Sequence, residues 1–298
     1  MAVDNKILNK PRIAEFCVVC ESAHLIKSPA ILMPFVADRV FDWKPVVVDA
    51  EWGLRTISPG MAYSICNSLL CGRCKHLFLD IRFDEKEMNR LYKDYRDEGY
   101  VSLRETYEPG YRLRNNTLAT GYQYLDKVER FLEPLLNFPV SILDWGGDTG
   151  KNTPFKDKSS LVHVYDISQK KPVSNGVKSV SSKNLLKYDL VVCSNVLEHV
   201  PYPREVLLKI KASLTKTSLL YVEVPFEELV RTSKSLSAAH ALKRHWHEHI
   251  NFFNEGSLAE LLGKSGLEIL SMGILDVSSS DSKSFIFQAA CRLTKDCQ

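Results

Sequence analysis

The stretch that decides the fold is Ser141–Gly150, which reads SILDWGGDTG. A short apolar run ends in Asp144, and three glycines follow within five residues. Glycines at such a turn let the backbone approach a ligand and take up positive φ. In an open α/β sheet, ligands bind at the carboxyl ends of the strands, where the strand order reverses. A second apolar run, LVHVYD, ends in Asp166, 22 residues after Asp144. An acidic residue in that place can accept hydrogen bonds from both hydroxyls of a ribose.

Working outward from this loop, apolar runs of strand length alternate with helical patterns. The predicted strands are Val140–Asp144, Leu161–Asp166, Val177–Val180, Asp189–Ser194 and Leu219–Val224, then runs near Leu267–Leu275 and Phe285–Leu293. Helices are predicted from Arg204 to Leu214 and from about Ser257 to Lys264. Strands that are apolar throughout, alternating with helices, imply a mostly parallel sheet covered on both faces. The last two runs are joined by a short polar turn at 278–284, which makes one of them antiparallel to the rest. The fold class expected is therefore α/β, a Rossmann-like sheet with an antiparallel last strand.

The loop also discriminates between ligands. A dinucleotide site calls for GxGxxG and a helix N-terminus aimed at a pyrophosphate. Here the pattern is DxGGDxG, and its two carboxylates would repel a pyrophosphate. They suit a ligand carrying an ammonium and a sulfonium, which is S-adenosylmethionine.

Taken in order, ILDWGGDTG, VYDIS, DLVVCSNVLEHVPYP and LLYVEVP resemble the motifs of class I S-adenosylmethionine-dependent methyltransferases. The resemblance covers roughly residues 120–298. It implies that Asp144, Gly146, Gly147, Asp148 and Gly150 cradle the methionine part of the cofactor. It further implies that Asp166 holds the ribose, that Ile167 lies against adenine, and that Asn195 stands near the methionine end. Two departures stand out. Asp148 replaces a small residue, and only about ten residues, Pro154 among them, separate Gly150 from the next strand. The first helix of the domain must therefore shrink to a single turn or a loop.

The N-terminal region has a different texture. Of eight cysteines, four form the pairs Cys17-Val-Val-Cys20 and Cys71-Gly-Arg-Cys74. Zinc takes four tetrahedral ligands, and each CxxC turn offers two sulfurs. Cys17, Cys20, Cys71 and Cys74 are the expected ligands of a structural zinc ion, with Cys66, His76 and His24 as substitutes. Two unrelated reduced pairs are the plainer alternative. A four-cysteine module ahead of this domain resembles the sugar C-methyltransferases of deoxysugar pathways and related methyltransferases of surface-polysaccharide clusters. The division expected is a zinc-binding module over 1–80, a helical linker over 81–117 and a methyltransferase domain over 118–298. Within the linker, Asp84 and Glu87 predict a capped helix over 84–96, and the Arg- and Tyr-rich 97–117 reads as irregular. A further helix is expected over 118–133.

Between the fifth strand and the next helix lies His245-Trp-His-Glu-His-Ile-Asn-Phe-Phe253. If extended, it turns His245, His247 and His249 to one face and Glu248 to the other. A histidine can serve as a general base near neutral pH. By resemblance, Glu248-His249 match the Glu-His pair with which the sugar C-methyltransferases deprotonate substrate. Trp246 stands where they carry a tyrosine. His249, Glu248 and His247 are thus the candidate catalytic residues. A structural cluster packed on Trp246 and Phe252, or a metal on the alternating histidines, remains open. Residues 226–244 read as a helical insertion beside this stretch. Arg104, Arg112 and Arg114 could meet an anionic substrate.

Composition sets the outer bounds. The 298 residues are 45% hydrophobic and 25% charged, with net charge +3, ordinary for a globular protein. No signal peptide or membrane span is visible, which points to the cytoplasm and to no membrane partner. The expected partner is a small, sugar-like molecule. A nucleic acid is not demanded by the charge, although an RNA methyltransferase that uses the zinc module as reader, and a non-catalytic scaffold, are rival readings.

Overall fold

The chain builds two main sheets. In the computed structural model, which describes residues 11–53, 58–118, 123–278 and 283–294, the strands run in chain order. They are β1 (Leu25–Leu32), β2 (Val46–Val48), β3 (Gly60–Ala62), β4 (Ile65–Cys71), β5 (Leu77–Leu79), β6 (Ser141–Trp145), β7 (Leu161–Tyr165), β8 (Val177–Ser179), β9 (Tyr188–Ser194), β10 (Leu214–Pro225), β11 (His245–Trp246), β12 (Asn251–Phe252), β13 (Leu267–Asp276) and β14 (Phe285–Leu293). The helices are α1 (Pro34–Phe41), α2 (Glu85–Tyr92), α3 (Glu98–Tyr107), α4 (Tyr111–Leu118), α5 (Leu125–Leu132), α6 (Pro203–Lys211), α7 (Glu228–Thr232), α8 (Ala239–Leu242) and α9 (Glu255–Lys264).

Seven strands form the larger sheet in the order β13-β14-β10-β9-β6-β7-β8. Neighbours from β10 through β8 pair in parallel. Strand β14 runs antiparallel to both β10 and β13. This is the expected α/β class with its antiparallel last strand. Both faces are covered. Val128 and Leu132 of α5 pack on Ile142, Leu190 and Val192. Leu207 and Ile210 of α6, with Leu258, Leu261 and Leu262 of α9, cover the other face with Leu143, Val191 and Val222. The order reverses at β6, which pairs with β7 on one side and β9 on the other. In open α/β sheets the ligand cleft lies at such a reversal, here above the ends of β6 and β9. The segment between β6 and β7 holds only turns and one 3-10 turn at Lys156–Lys158, as its length requires.

The smaller sheet has the order β11-β1-β4-β5-β12. Its outer strands come from the histidine-rich stretch: β11 pairs in parallel with β1, and β12 antiparallel with β5. The first 80 residues thus do not complete this sheet alone. Cys17, Cys20 and Cys71 share a core with Leu143 and Val222 of the larger sheet, so the two sheets are packed together. Strands β2 and β3 pair as a separate two-stranded ribbon.

Helix α2 starts with the predicted capping box, in which Asp84 and Glu87 exchange hydrogen bonds. Residues 98–118 correct the irregular reading of 97–117, because they form α3 and α4. The buried face of α3 is Tyr100, Val101 and Arg104. Composition marks Tyr100 and Arg104 as polar, but their polar ends find a partner in Glu248 inside the protein. Helix α5 starts at Leu125, later than the predicted 118, and 119–122 lie outside the described residues, as does Cys297. The 278–284 turn is described only at its ends. The insertion over 226–244 contributes the short helices α7 and α8.

Candidate active site

The glycine-rich turn sits at the mouth of the cleft. Gly146 has φ +80°, and a Cβ there would meet Val196 Cγ2 at 2.3 Å. A Cβ on Gly147 would meet the Asp144 carboxyl carbon at 2.4 Å. The turn is therefore a cradle that side chains would fill. Asp144 lies beneath it, buried, and accepts a 2.5 Å hydrogen bond from the Thr153 hydroxyl. Burial, only partly offset by Thr153, pushes its carboxyl up to about 7. Asp166 follows β7 and accepts from the backbone N–H groups of Asp148 (2.9 Å) and Ser168 (2.7 Å). Each oxygen keeps lone pairs free for a ribose hydroxyl. Asp148 stands at φ +50°, half-buried, with its carboxylate 3.9 Å from Lys170 Nζ. Ile167 is exposed on a shallow depression shared with Asn89, Arg90 and Lys93. Asn195, at φ +53° just after β9, donates to buried Glu223 at 2.8 Å. Asp144, the glycine turn, Asp166, Ile167 and Asn195 all stand at the carboxyl ends of β6, β7 and β9 or on the turns that follow them.

Beyond the end of β9, two loops are bonded to each other. The backbone N–H groups of Ile250 and Asn251 both donate to the Glu198 carbonyl, and the Asn251 amide donates to the carbonyls of Leu197 and Val200. This lock brings His199 and His249 to a ring separation of 4.6 Å, edge to face. His249 Nδ1 donates to Glu227 Oε1 at 2.5 Å. Burial works against a charged His249, but its hydrogen bond to Glu227 and the neighbouring carboxylates outweigh it and raise the ring's pKa. His199 Nδ1 lies 3.1 Å from the Glu248 carbonyl and 2.9 Å from the Tyr92 hydroxyl. Burial, reinforced by His249, lowers His199 to about 3, so its ring is neutral.

Glu248 and His247 face elsewhere. Glu248 is buried and accepts 2.7 Å from Arg104 Nη1 and a very short bond from the Tyr100 hydroxyl. Burial alone would raise its pKa, yet Arg104 and the Tyr100 hydroxyl hold it down at about 2. His247 Nε2 lies 2.8 Å from Glu108. Arg104, Arg112 and Arg114 are taken up by Glu248 and Glu108, by Glu98, and by Glu108 respectively. That corrects their reading as an anionic-substrate patch, because each guanidinium already neutralises a carboxylate of the protein.

The four cysteines of the two knuckles converge. Cys17 and Cys74 sulfurs are 3.6 Å apart, Cys20 and Cys71 sulfurs 3.4 Å, and all four lie within 4.8 Å of one another. Tetrahedral zinc with bonds of about 2.3 Å places its sulfurs about 3.8 Å apart. The knuckles turn at Glu21 (φ 63°) and Lys75 (φ 58°), each following a pair. Gly72 is required for a different reason: a Cβ there would meet the His24 ring at 2.4 Å. Cys66 and His76 stand outside the cluster, and His76 is buried against Phe78 and Phe253.

Residues 114–272, more than half of the chain, match the family described as "Methyltransferase domain". The chain belongs to that methyltransferase family. It is an S-adenosylmethionine-dependent methyltransferase. Among solved structures, it is similar to the 1,6-didemethyltoxoflavin-N1-methyltransferase of Burkholderia thailandensis, at 17% identity over 66% of this chain and 90% of that one, with a TM-score of 0.47. It is also similar to the magnesium protoporphyrin IX methyltransferase of Synechocystis PCC 6803, at 20% identity over 56% of this chain and 82% of that one, TM-score 0.41. Both likenesses are too distant to speak for the acceptor. No match was found among curated proteins.

Three polar groups of this methyltransferase's cleft were not singled out in the sequence. Glu227 pairs with His249 from the insertion after β10. Glu198 is buried, and neither of its oxygens has a hydrogen-bond partner among the described residues. Tyr92 reaches His199 from α2. Only Glu198 carried a signal, as part of the VLEHV motif after β9; nothing in spacing or period ties Glu227 or Tyr92 to this cleft.

Proposed function

We propose that this methyltransferase acts on a small polar acceptor, a sugar or nucleotide-linked sugar of a surface-polysaccharide or secondary-metabolite pathway, in the cytoplasm. The observation that carries the reading is the His249–Glu227 pair at the mouth of the cleft beside the loop that follows β9. A neutral acceptor hydroxyl or carbon acid needs a group to draw off its proton, and a histidine held by a carboxylate is suited to that. S-adenosylmethionine, when bound, supplies an electrophilic methyl group on a sulfonium. In this reading the Gly146–Gly147 cradle and Asp148 hold its methionine end, Asp166 the ribose and Ile167 the adenine, while Asn195 closes the methionine side. Asp144 supports the cradle from below. Glu248 and His247 act on His249 indirectly: anchored by Arg104 and Glu108, they fix the stretch on which it stands.

Cys17, Cys20, Cys71 and Cys74 would hold one zinc ion, all four positions filled by protein and none left for substrate. The ion's role is then to hold the module, whose cysteines share a core with the larger sheet. The three-part division at 80 and 117 stays part of this reading, with β11 and β12 returning to the module's sheet. Among the described residues, no helix is long and apolar enough to cross a membrane.

The test is calorimetry with S-adenosylhomocysteine, followed by turnover assays against a panel of nucleotide sugars and, separately, RNA. Binding together with turnover of a sugar supports the reading. Turnover confined to RNA overturns the acceptor class.

A further inference from the structure

Three side chains in the cleft share an unusual relation. Glu198, His199 and His249 each offer a ligand atom, and these atoms lie within 4.8 Å of one another. Glu198 is 1% exposed, and neither of its oxygens has a hydrogen-bond partner among the described residues. A carboxylate taken out of water without a partner is costly unless a cation meets it. His199 Nε2 is 3.7 Å from Glu198 Oε1.

The two rings are oriented as metal ligands are. His199 Nδ1 lies 3.1 Å from the Glu248 carbonyl, an acceptor, and 2.9 Å from the Tyr92 hydroxyl, so the tautomer with the proton on Nδ1 satisfies the carbonyl. His249 Nδ1 donates to Glu227. In the neutral ring whose Nδ1 carries the proton, Nε2 is left with a lone pair. A histidine whose other nitrogen is tied to a carbonyl or carboxylate is the usual arrangement around a bound metal. Two histidines and one carboxylate also leave further coordination positions open.

We propose that Glu198, His199 and His249 bind a divalent transition-metal cation whose open positions take an acceptor hydroxyl. This inference rests on the reading of the cleft as the acceptor site, and with the cation bound it makes His249 a ligand where it would otherwise be the base. A hydroxyl bound to such a cation loses its proton more readily. The proton passes to solvent and the oxygen keeps the electron pair. That pair forms the O–CH3 bond as the S–CH3 bond of the sulfonium breaks, and the sulfur keeps the electrons of that bond. The acceptor class is then an alcohol, best one with a neighbouring oxygen to fill a second position.

The test is a titration of zinc-loaded full-length protein with Co2+, zinc already filling the cysteine cluster. One further equivalent is expected, with visible cobalt absorption and no thiolate charge-transfer band. Glu198→Gln should weaken cobalt binding at least about tenfold, and Glu227→Gln, whose carboxylate bonds the His249 ring, by about tenfold. Should Glu198→Gln not fold, Glu227→Gln carries the comparison. Absence of the extra equivalent, or unchanged affinity in the folded variants, overturns the site. S-adenosylhomocysteine calorimetry on the same samples separates the two readings. Cofactor binding without cobalt binding removes the cation and leaves the methyltransferase cleft, whereas cobalt binding without cofactor binding removes the reading of the cleft.

Discussion

His249 Nδ1 and Glu227 Oε1 meet at 2.5 Å, joining two segments with different anchors. Glu227 begins the insertion after β10. His249 lies between β11 and β12, which edge the smaller sheet. Any shift of one sheet against the other changes this contact, so it is where packing between them reaches the chemistry. His249→Ala should lower turnover by about a hundredfold or more, whether the ring draws off a proton or holds a cation. S-adenosylhomocysteine affinity should stay within about twofold. Retained turnover would place acceptor activation elsewhere.

Arg104 faces Glu248 at 2.7 Å, and both side chains are 9% exposed. Removing one partner of a buried pair leaves the other charge without compensation, at about 3–5 kcal/mol. Arg104→Met should therefore destabilise the protein far more than Arg112→Met, whose partner Glu98 is largely exposed. Denaturant unfolding of the two variants makes the comparison. Equal losses would show that Arg104 holds nothing in place.

The parallel strands and the glycine turn were legible because burial on both faces writes itself as continuous apolar runs, as in LVVCS of β9. The cysteine pairs were legible because metal spacing is local. The face of α3 was hidden, since Tyr100 and Arg104 read as solvent-facing until Glu248, well over a hundred residues away, supplies their partner. Strands β11 and β12 have two residues each, too few to show a period. The His249–Glu227 contact depends on how the insertion folds back, which no local pattern encodes.

Asp144 gives a pH dependence with a definite sign. Its ordinary value is 3.8, and burial raises it to about 7 in the folded protein. Between those values the unfolded chain has released the proton and the folded chain has not, so stability falls as pH rises through the window. Below pH 4 both states are protonated, and above pH 7 both are ionised. Asp144→Asn keeps an acceptor for Thr153 and removes the titration. Its melting temperature relative to the parent should improve steadily from pH 4 to pH 7 and then level off. A difference that is constant across this range contradicts the assignment.

The cysteine cluster predicts a loss that reaches beyond the module. Purified protein should carry about one zinc per chain. Cys71→Ser should lose that zinc. Because Cys71 packs in one core with Leu143 and Val222, the variant should also unfold at lower temperature and lose turnover. Metal analysis with calorimetric melting tests both halves. Full zinc content in Cys71→Ser would mean the ion sits elsewhere.

Two glycines provide a matched pair that isolates the cradle. Gly147 has an ordinary φ, so alanine there costs nothing in backbone strain, but its Cβ would meet the Asp144 carboxyl at 2.4 Å. Asp144 cannot retreat, because it is buried and bonded to Thr153. The loop must lift instead, at about 1–3 kcal/mol for overpacking, and the cofactor's seat moves with it. Gly263 in α9 has nothing within 4 Å of its would-be Cβ. Alanine there improves helix propensity by up to about 1 kcal/mol. Gly147→Ala should therefore melt earlier and bind S-adenosylhomocysteine at least about tenfold more weakly, a loss of about 1.4 kcal/mol. Gly263→Ala should melt slightly later and bind as the parent does. If the two variants bind alike, the turn between β6 and β7 is only a tight corner of the chain, and the cofactor is seated by other residues.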